Sequence, residues 1–127
     1  MAKLPYRLRP LLWVGSSKRD YRAFPPRVQD QFGFALFLAQ TGQHPPRVRL
    51  LKGFGSGVVE LVGSFESDAY RAVYTVRFRE VVYVLHAFKK KAKHGIKTPM
   101  SDLELVRRRL RDAEQDYAQR FEPGKNL

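Results

Sequence analysis

The chain has 127 residues, with 24 Lys and Arg against 12 Asp and Glu, a net charge of +12 and no cysteine. This length implies one domain around one core, and the missing cysteines exclude disulfides and thiolate metal sites. The charge excess calls for an anionic partner, and its clustering favours nucleic acid over a generic acidic protein.

Residues 1–10 are expected to be a flexible lead. The segment LLWVG (Leu11 to Gly15) reads as a short strand, too short for the apolar core of a signal peptide. No apolar stretch approaches the roughly 20 residues of a membrane span. These absences lead to the expectation of a cytoplasmic protein with no membrane partner. Ser16 or Ser17 is placed to cap a short helix, SKRDYRAF, which Pro25 and Pro26 end. Pro26 suits the first turn of a second helix, PRVQDQFGFALFLAQTG, because its fixed φ is helical and its missing N–H is not needed there. Val28, Phe32, Ala35, Leu36 and Ala39 recur at helical spacing and are expected to face the core. Gly42 fits a left-handed helix cap. Phe34, Phe37 and Leu38 fall partly outside that stripe. The favoured reading buries them on a wide helix face, and the sharper one makes them an apolar patch for a protein partner.

QHPPRVRLLKGFGSG reads as a loop-rich connector. Its Gly53 to Gly57 stretch lacks the buried strand before it and the helix after it that a dinucleotide fingerprint needs, so it reads as a hairpin turn. Three strand signals follow, VVELVGSF, AYRAVYTVRF and VVYVLHAF. The breaks between them, ESD and RE, are too short for parallel crossovers, which implies an antiparallel meander. In the second strand, Tyr70, Ala72, Tyr74, Val76 and Phe78 are expected to pack on helices. Arg71, Val73, Thr75 and Arg77 are expected on a partly open face. Thr98 and Pro99 mark a helix start, with Ser101 and Glu104 as an alternative capping box. The last helix, SDLELVRRRLRDAEQDYAQRF, carries the stripe Leu103, Val106, Leu110, Ala113, Tyr117 and Phe121. Arg107, Arg108, Arg109 and Arg111 read as its solvated face, and residues 122–127 as a flexible tail. The expected fold is therefore α+β and a single domain over 1–127: a small, mainly antiparallel sheet packed on N-terminal helices, with a C-terminal helix.

His44, His86 and His94 are scattered without acids at ligand spacing, so neither a metal nor a cofactor is expected. What stands out is LHAFKKKAKHGIKTP, where an apolar strand runs into Lys89, Lys90, Lys91, Lys93 and Lys97 without one acid. Arg71 on the neighbouring strand, Lys52 from the connector, and Lys89, Lys90 and Lys91 would together line a groove that grips a phosphodiester backbone. Lys93, His94, Lys97 and Arg77 extend the same basic surface. Cleaving RNA there needs a base for the 2′-hydroxyl, an acid for the leaving 5′-oxygen and cations for the charge between them. Crowded lysines lower one another's pKa by like-charge repulsion, which suits one of them to proton transfer.

The ordered set Leu51-Lys52-Gly53, Glu60-Leu61, Tyr70-Arg71-Ala72-Val73, His86-Ala87-Phe88-Lys89-Lys90-Lys91 and Lys97-Thr98-Pro99 resembles the RelE/ParE toxin superfamily, in its HigB-like, phage-derived branch. Many members of that branch carry arginine directly after Glu-Leu, where this chain has Val62. The resemblance implies a RelE-like fold and a toxin of a type II toxin–antitoxin pair. Such a toxin is a ribosome-dependent mRNA endonuclease that needs no metal, neutralised by a HigA-like helix-turn-helix antitoxin. It nominates Arg71 and Lys90 first for catalysis, then Lys52 and Lys89, with Lys91 and Lys93 beside them. Phe34, Phe37 and Leu38 become candidate antitoxin contacts. Two alternatives do no chemistry: a ParE-like gyrase inhibitor, which shares the fold, and a nucleic-acid-binding phage accessory protein.

Overall fold

The computed structural model describes residues 7–90 and 97–124. In chain order the elements are β1 (Leu11–Trp13), α1 (Ser17–Arg22), α2 (Pro26–Gln40), β2 (Val48–Leu50), β3 (Val58–Phe65), β4 (Asp68–Thr75), β5 (Val82–Lys90) and α3 (Met100–Phe121). One five-stranded sheet runs in the order β1-β5-β4-β3-β2. The expected meander β3-β4-β5 is antiparallel, β2 pairs antiparallel with β3, and β1 pairs parallel with β5. The α+β expectation holds, with one strand more than the sequence suggested: β2 lies inside the connector read as loop. The β3–β4 turn is two residues long, and Glu66 and Ser67 both take positive φ, 50° and 71°. That conformation matches the twist of the flanking strands.

Period-2 alternation sends the two sides of the meander into different cores. Val59, Leu61, Tyr70, Ala72, Tyr74 and Ala87 pack against Phe24 and the α2 stripe Val28, Phe32, Ala35, Leu36 and Ala39. Phe32 reaches the sheet because Gly63 leaves room: a Cβ on Gly63 would stand 2.8 Å from the Phe32 ring. On the other side, Val58, Val73, Val81, Tyr83 and Leu85 pack against Val106, Leu110 and Ala113 of α3. This corrects the expectation of a partly open second face. Val73 and Thr75 are fully buried there, because the apolar stripe of α3 must also be covered and the sheet is the only layer available to it.

Three further expectations are revised. Phe34 and Phe37 are 61% and 40% exposed, so α2 buries a narrow stripe and leaves an aromatic patch in solvent. Arg109 is not on a solvated face: it is buried and donates to the Leu85 carbonyl at 3.0 Å and to Ser16 Oγ at 2.9 Å, tying α3 to β5 and to the start of α1. Thr98 does not cap α3; Pro99 holds the N-cap position without a side-chain bond, and the Thr98 hydroxyl turns to Glu60 instead. The end of α2 does follow expectation. Gly42, at φ +86°, donates to the Ala39 carbonyl and Gln43 to that of Leu38, the paired bonds of a Schellman cap. The lead is held at its end, where Arg9 bonds Gln40 and Pro10 accepts from Val82.

Candidate nucleic-acid interface

The strand registers decide which of the candidate cations meet. Arg71 on β4 lies opposite Val62 on β3 and Phe88 on β5, while Ala69 lies opposite Lys90. Residues opposite one another on paired strands share a face, so Arg71, Phe88 and Lys90 are on the α3 side. Arg49 on β2 lies opposite Glu60 on β3, and Glu60 opposite Val73, which puts Arg49 and Glu60 on that side as well. Three cations and one carboxylate thus share this face, Lys90 and Arg71 in the half of the meander nearest the β3–β4 turn and Glu60 with Arg49 further along. A groove of about 430 Å³ opens there, lined by Arg47, Arg49, Val62, Ser64, Ala69 and Arg71 among others. Val62, which follows Glu60-Leu61, lines the groove, and Arg47 and Arg49 bring charge to it from the β2 side.

Arg71 is only 5% exposed. Its Nη1 donates to the Tyr70 carbonyl at 3.0 Å, and its Nε is buried without a hydrogen-bond partner among the described residues. Burial pushes its pKa down, Glu60 opposes that shift and Arg49 adds to it, yet a guanidinium stays charged throughout the physiological range. Lys90 is 6% exposed. Burial, then Arg71 and Arg49, hold its ammonium below the ordinary lysine pKa, with Glu60 pulling the other way. This lowering differs from the one expected among crowded lysines: burial comes first and two arginines follow. Glu60 is fully buried. It accepts from Arg49 Nε at 3.1 Å, from Arg49 Nη2, and from the Thr98 hydroxyl at 2.7 Å.

The other nominated residues are dispersed. Lys89, next to Lys90, points to the opposite face, because successive strand residues alternate. It pairs with Asp68 at 3.0 Å, which raises its pKa. It lines a different cavity, of about 1090 Å³, with Phe24, Pro25 and Tyr70. Lys52 is exposed in the β2–β3 loop, at the far end of the sheet from Lys90. Arg77 is engaged within the chain: it donates to the Ser56 and Phe54 carbonyls and pairs with Glu114 at 2.9 Å, clamping the glycine-rich turn. Lys97 is exposed and directly precedes Thr98, which keeps it near Glu60. Lys91, Lys93 and His94 lie outside the described residues. Phe34 and Phe37 stand in solvent on α2, with Leu38 half-buried beside them.

His86 faces the α3 side but sits further along β5. Its Nε2 is 2.7 Å from Asp102 Oδ1, and its ring stacks on Phe88 at 4.6 Å. Burial lowers its pKa and Asp102 partly restores it. Sequence reasoning passed over Arg49 and Glu60. The signal for Arg49 was the alternation Val48-Arg49-Leu50, too short to stand out beside two prolines. Glu60 entered only as part of the Glu60-Leu61 motif, with no role attached. Among the described residues, no three His, Cys, Asp or Glu side chains gather to hold a metal ion, and no helix is long and apolar enough to cross a membrane.

The fold and the groove together define a small, strongly basic α+β domain with clustered cations on one sheet face. The family described as phage derived protein Gp49-like (DUF891) matches residues 19–111, and the chain belongs to that family, the phage-derived group that its ordered motifs resemble. Among solved structures, a chain of the toxin–antitoxin complex RelBE2 from Mycobacterium tuberculosis aligns with a TM-score of 0.44 at 17% identity, over 72% of this chain and 98% of that one. No curated protein matches the chain.

Proposed function

We propose that this protein is the toxin of a type II toxin–antitoxin pair and acts as a metal-independent, ribosome-dependent mRNA endonuclease. Membership of the Gp49-like family supports the first part. The second rests on one observation: Arg49, Arg71 and Lys90 share a sheet face beside an open groove, and Arg71 holds a buried donor that nothing in the described chain satisfies. A phosphate oxygen is the acceptor that meets such a donor, and a guanidinium binds it bidentately.

In this reading the ribose 2′-oxygen attacks the adjacent phosphorus and the bond to the 5′-oxygen breaks. A 2′,3′-cyclic phosphate and a free 5′-hydroxyl result. Arg71 and Arg49 take up the extra negative charge of the five-coordinate phosphorus, a contribution that in comparable sites is worth on the order of 10²–10³ in rate per donor. Lys90, with its pKa lowered, accepts the 2′-hydroxyl proton from its neutral fraction, and water in the open groove protonates the leaving oxygen. The ribosome supplies a bent, exposed messenger. The neutralising partner is a HigA-like helix-turn-helix protein, with the Phe34, Phe37 and Leu38 patch as its contact.

The test is expression in a host strain with transcript 5′ ends mapped during growth arrest. New 5′-hydroxyl ends within translated messages, absent with Arg71→Met, support the proposal. Arrest with intact messages overturns it, and loss of supercoiling activity by purified gyrase would then move the protein to the gyrase-inhibitor class.

A further inference from the structure

Glu60 is the least expected member of the cluster. It is a fully buried acid on a strand whose neighbours Val58, Val59 and Leu61 are apolar, where a carboxylate is costly to desolvate unless its partners compensate. It is not placed to act as a base. Both oxygens are already engaged, Oε1 by Arg49 and Oε2 by Thr98, and no part of the side chain reaches solvent. Its charge also works against anion binding, since it stands among the three cations that a phosphate would meet. What the carboxylate does visibly is fix the guanidinium of Arg49, which reaches across from the three-residue edge strand β2 and has, besides that short ladder, a long contact of 3.4 Å to the Thr98 hydroxyl.

We propose that Glu60 is a positioning residue: it orients Arg49 beside Arg71 so that the groove presents a preset pair of guanidiniums to one phosphodiester, with Thr98 locking the carboxylate from the start of α3. The inference rests on the reading of the groove as a phosphate site. It makes a prediction whose sign separates it from simpler roles. If Glu60 acted only through its charge, neutralising it would leave the cations less compensated and tighten anion binding. If it served only to stabilise the fold, anion binding by the folded variant would be unchanged. If it positions Arg49, anion binding weakens despite the more positive site, and the weakening disappears once Arg49 is gone.

The probe is inorganic sulfate, titrated into the full-length protein at pH 6.5 and low salt and followed by NMR of the arginine side chains. The variants are Glu60→Gln, Arg49→Ala and their combination. Arg71 from β4, Arg49 from β2 and Glu60 from β3 face Lys90, and pH 6.5 lies well on the protonated side of the ordinary lysine range. Expected are a sulfate affinity lowered about 5- to 10-fold by Glu60→Gln, a similar loss with Arg49→Ala, and a double variant no weaker than Arg49→Ala alone, as for two residues acting through one contact. Tighter or unchanged binding by Glu60→Gln, or additive losses, would overturn the proposal. So would a wild-type protein that ignores sulfate. Glu60→Asp keeps the charge and draws the carboxylate back from Arg49; it takes the place of Glu60→Gln in the same cycle if that variant does not fold, with the same outcomes decisive. A non-additive sulfate cycle in a protein that cuts no RNA would sustain the positioning role and overturn the nuclease.

Discussion

Replacing Arg71 by methionine is expected to abolish cleavage and, at the same time, to leave the protein as stable as before or more so. An exposed arginine would be nearly neutral to remove, but Arg71 is buried, so its worth must be worked out. On the debit side stand a buried N–H without a partner, a penalty of roughly 1–3 kcal/mol, and the desolvation that dominates its lowered pKa. In its favour is one bond to the Tyr70 carbonyl at 3.0 Å, worth about 1.5–3 kcal/mol for a charged donor. Attraction to Glu60 is set against repulsion from Arg49. These terms nearly cancel, and methionine regains the packing of the aliphatic stem without the charge. The net expectation is a gain of ~1 kcal/mol, which raises Tm by roughly 3–5 °C for a chain of this size. Urea denaturation followed by circular dichroism measures it, alongside the transcript-end assay. A loss of 2 kcal/mol or more would refute the reasoning, because it would make Arg71 a structural clamp and its unmet donor a detail of packing.

Arg109→Met is expected to do the reverse. It removes two bonds of a buried guanidinium and costs roughly 3–5 kcal/mol, whereas Arg108→Met on the exposed face of the same helix stays within about 0.5 kcal/mol; urea midpoints compare them. Lys89 and Lys90 are expected to part company in cleavage assays. Lys90→Ala lowers the rate by about 10²-fold or more, while Lys89→Ala, on the other face with Asp68, stays within about twofold. Because burial lowers the pKa of folded His86, the unfolded chain takes up its proton first as pH falls through about 6.5. Stability is therefore lost with acidification below that point, and His86→Gln should flatten the difference between denaturation curves at pH 7.5 and pH 5.5. Phe34→Asp, on the exposed aromatic patch, should leave the urea midpoint unchanged and weaken binding of the proposed helix-turn-helix antitoxin at least about 10-fold, read by calorimetry.

The fold was legible because its signals are local. The meander follows from three β-branched and aromatic runs with breaks too short for anything but hairpins, and α2 from a five-residue stripe closed by Gly42. The site was legible only in part, because it is made by register. Along β4 the α3-side residues read Arg71, Val73, Thr75; along β5, Lys90, Phe88, His86; along β3, Val62, Glu60, Val58. β4 and β5 therefore run from charge to core on that face, β3 sets its charge between two valines, and each contributes an ion that looks incidental in its own segment. A run of five lysines draws attention in the sequence, yet alternation sends Lys89 to the other side of the sheet. A bare Val-Arg-Leu between prolines and a glycine-rich turn draws none, yet pairing with β3 delivers Arg49 to the centre. Reading the site from sequence would have required knowing that β2 exists, since without it Glu60 has no paired cation, and a buried acid without one argues against the strand that carries it. The converse also holds. A buried acid in the middle of an apolar strand implies a cation one strand over, and in this chain the short alternating segment before the turn is the only stretch whose register can supply it from the β2 side.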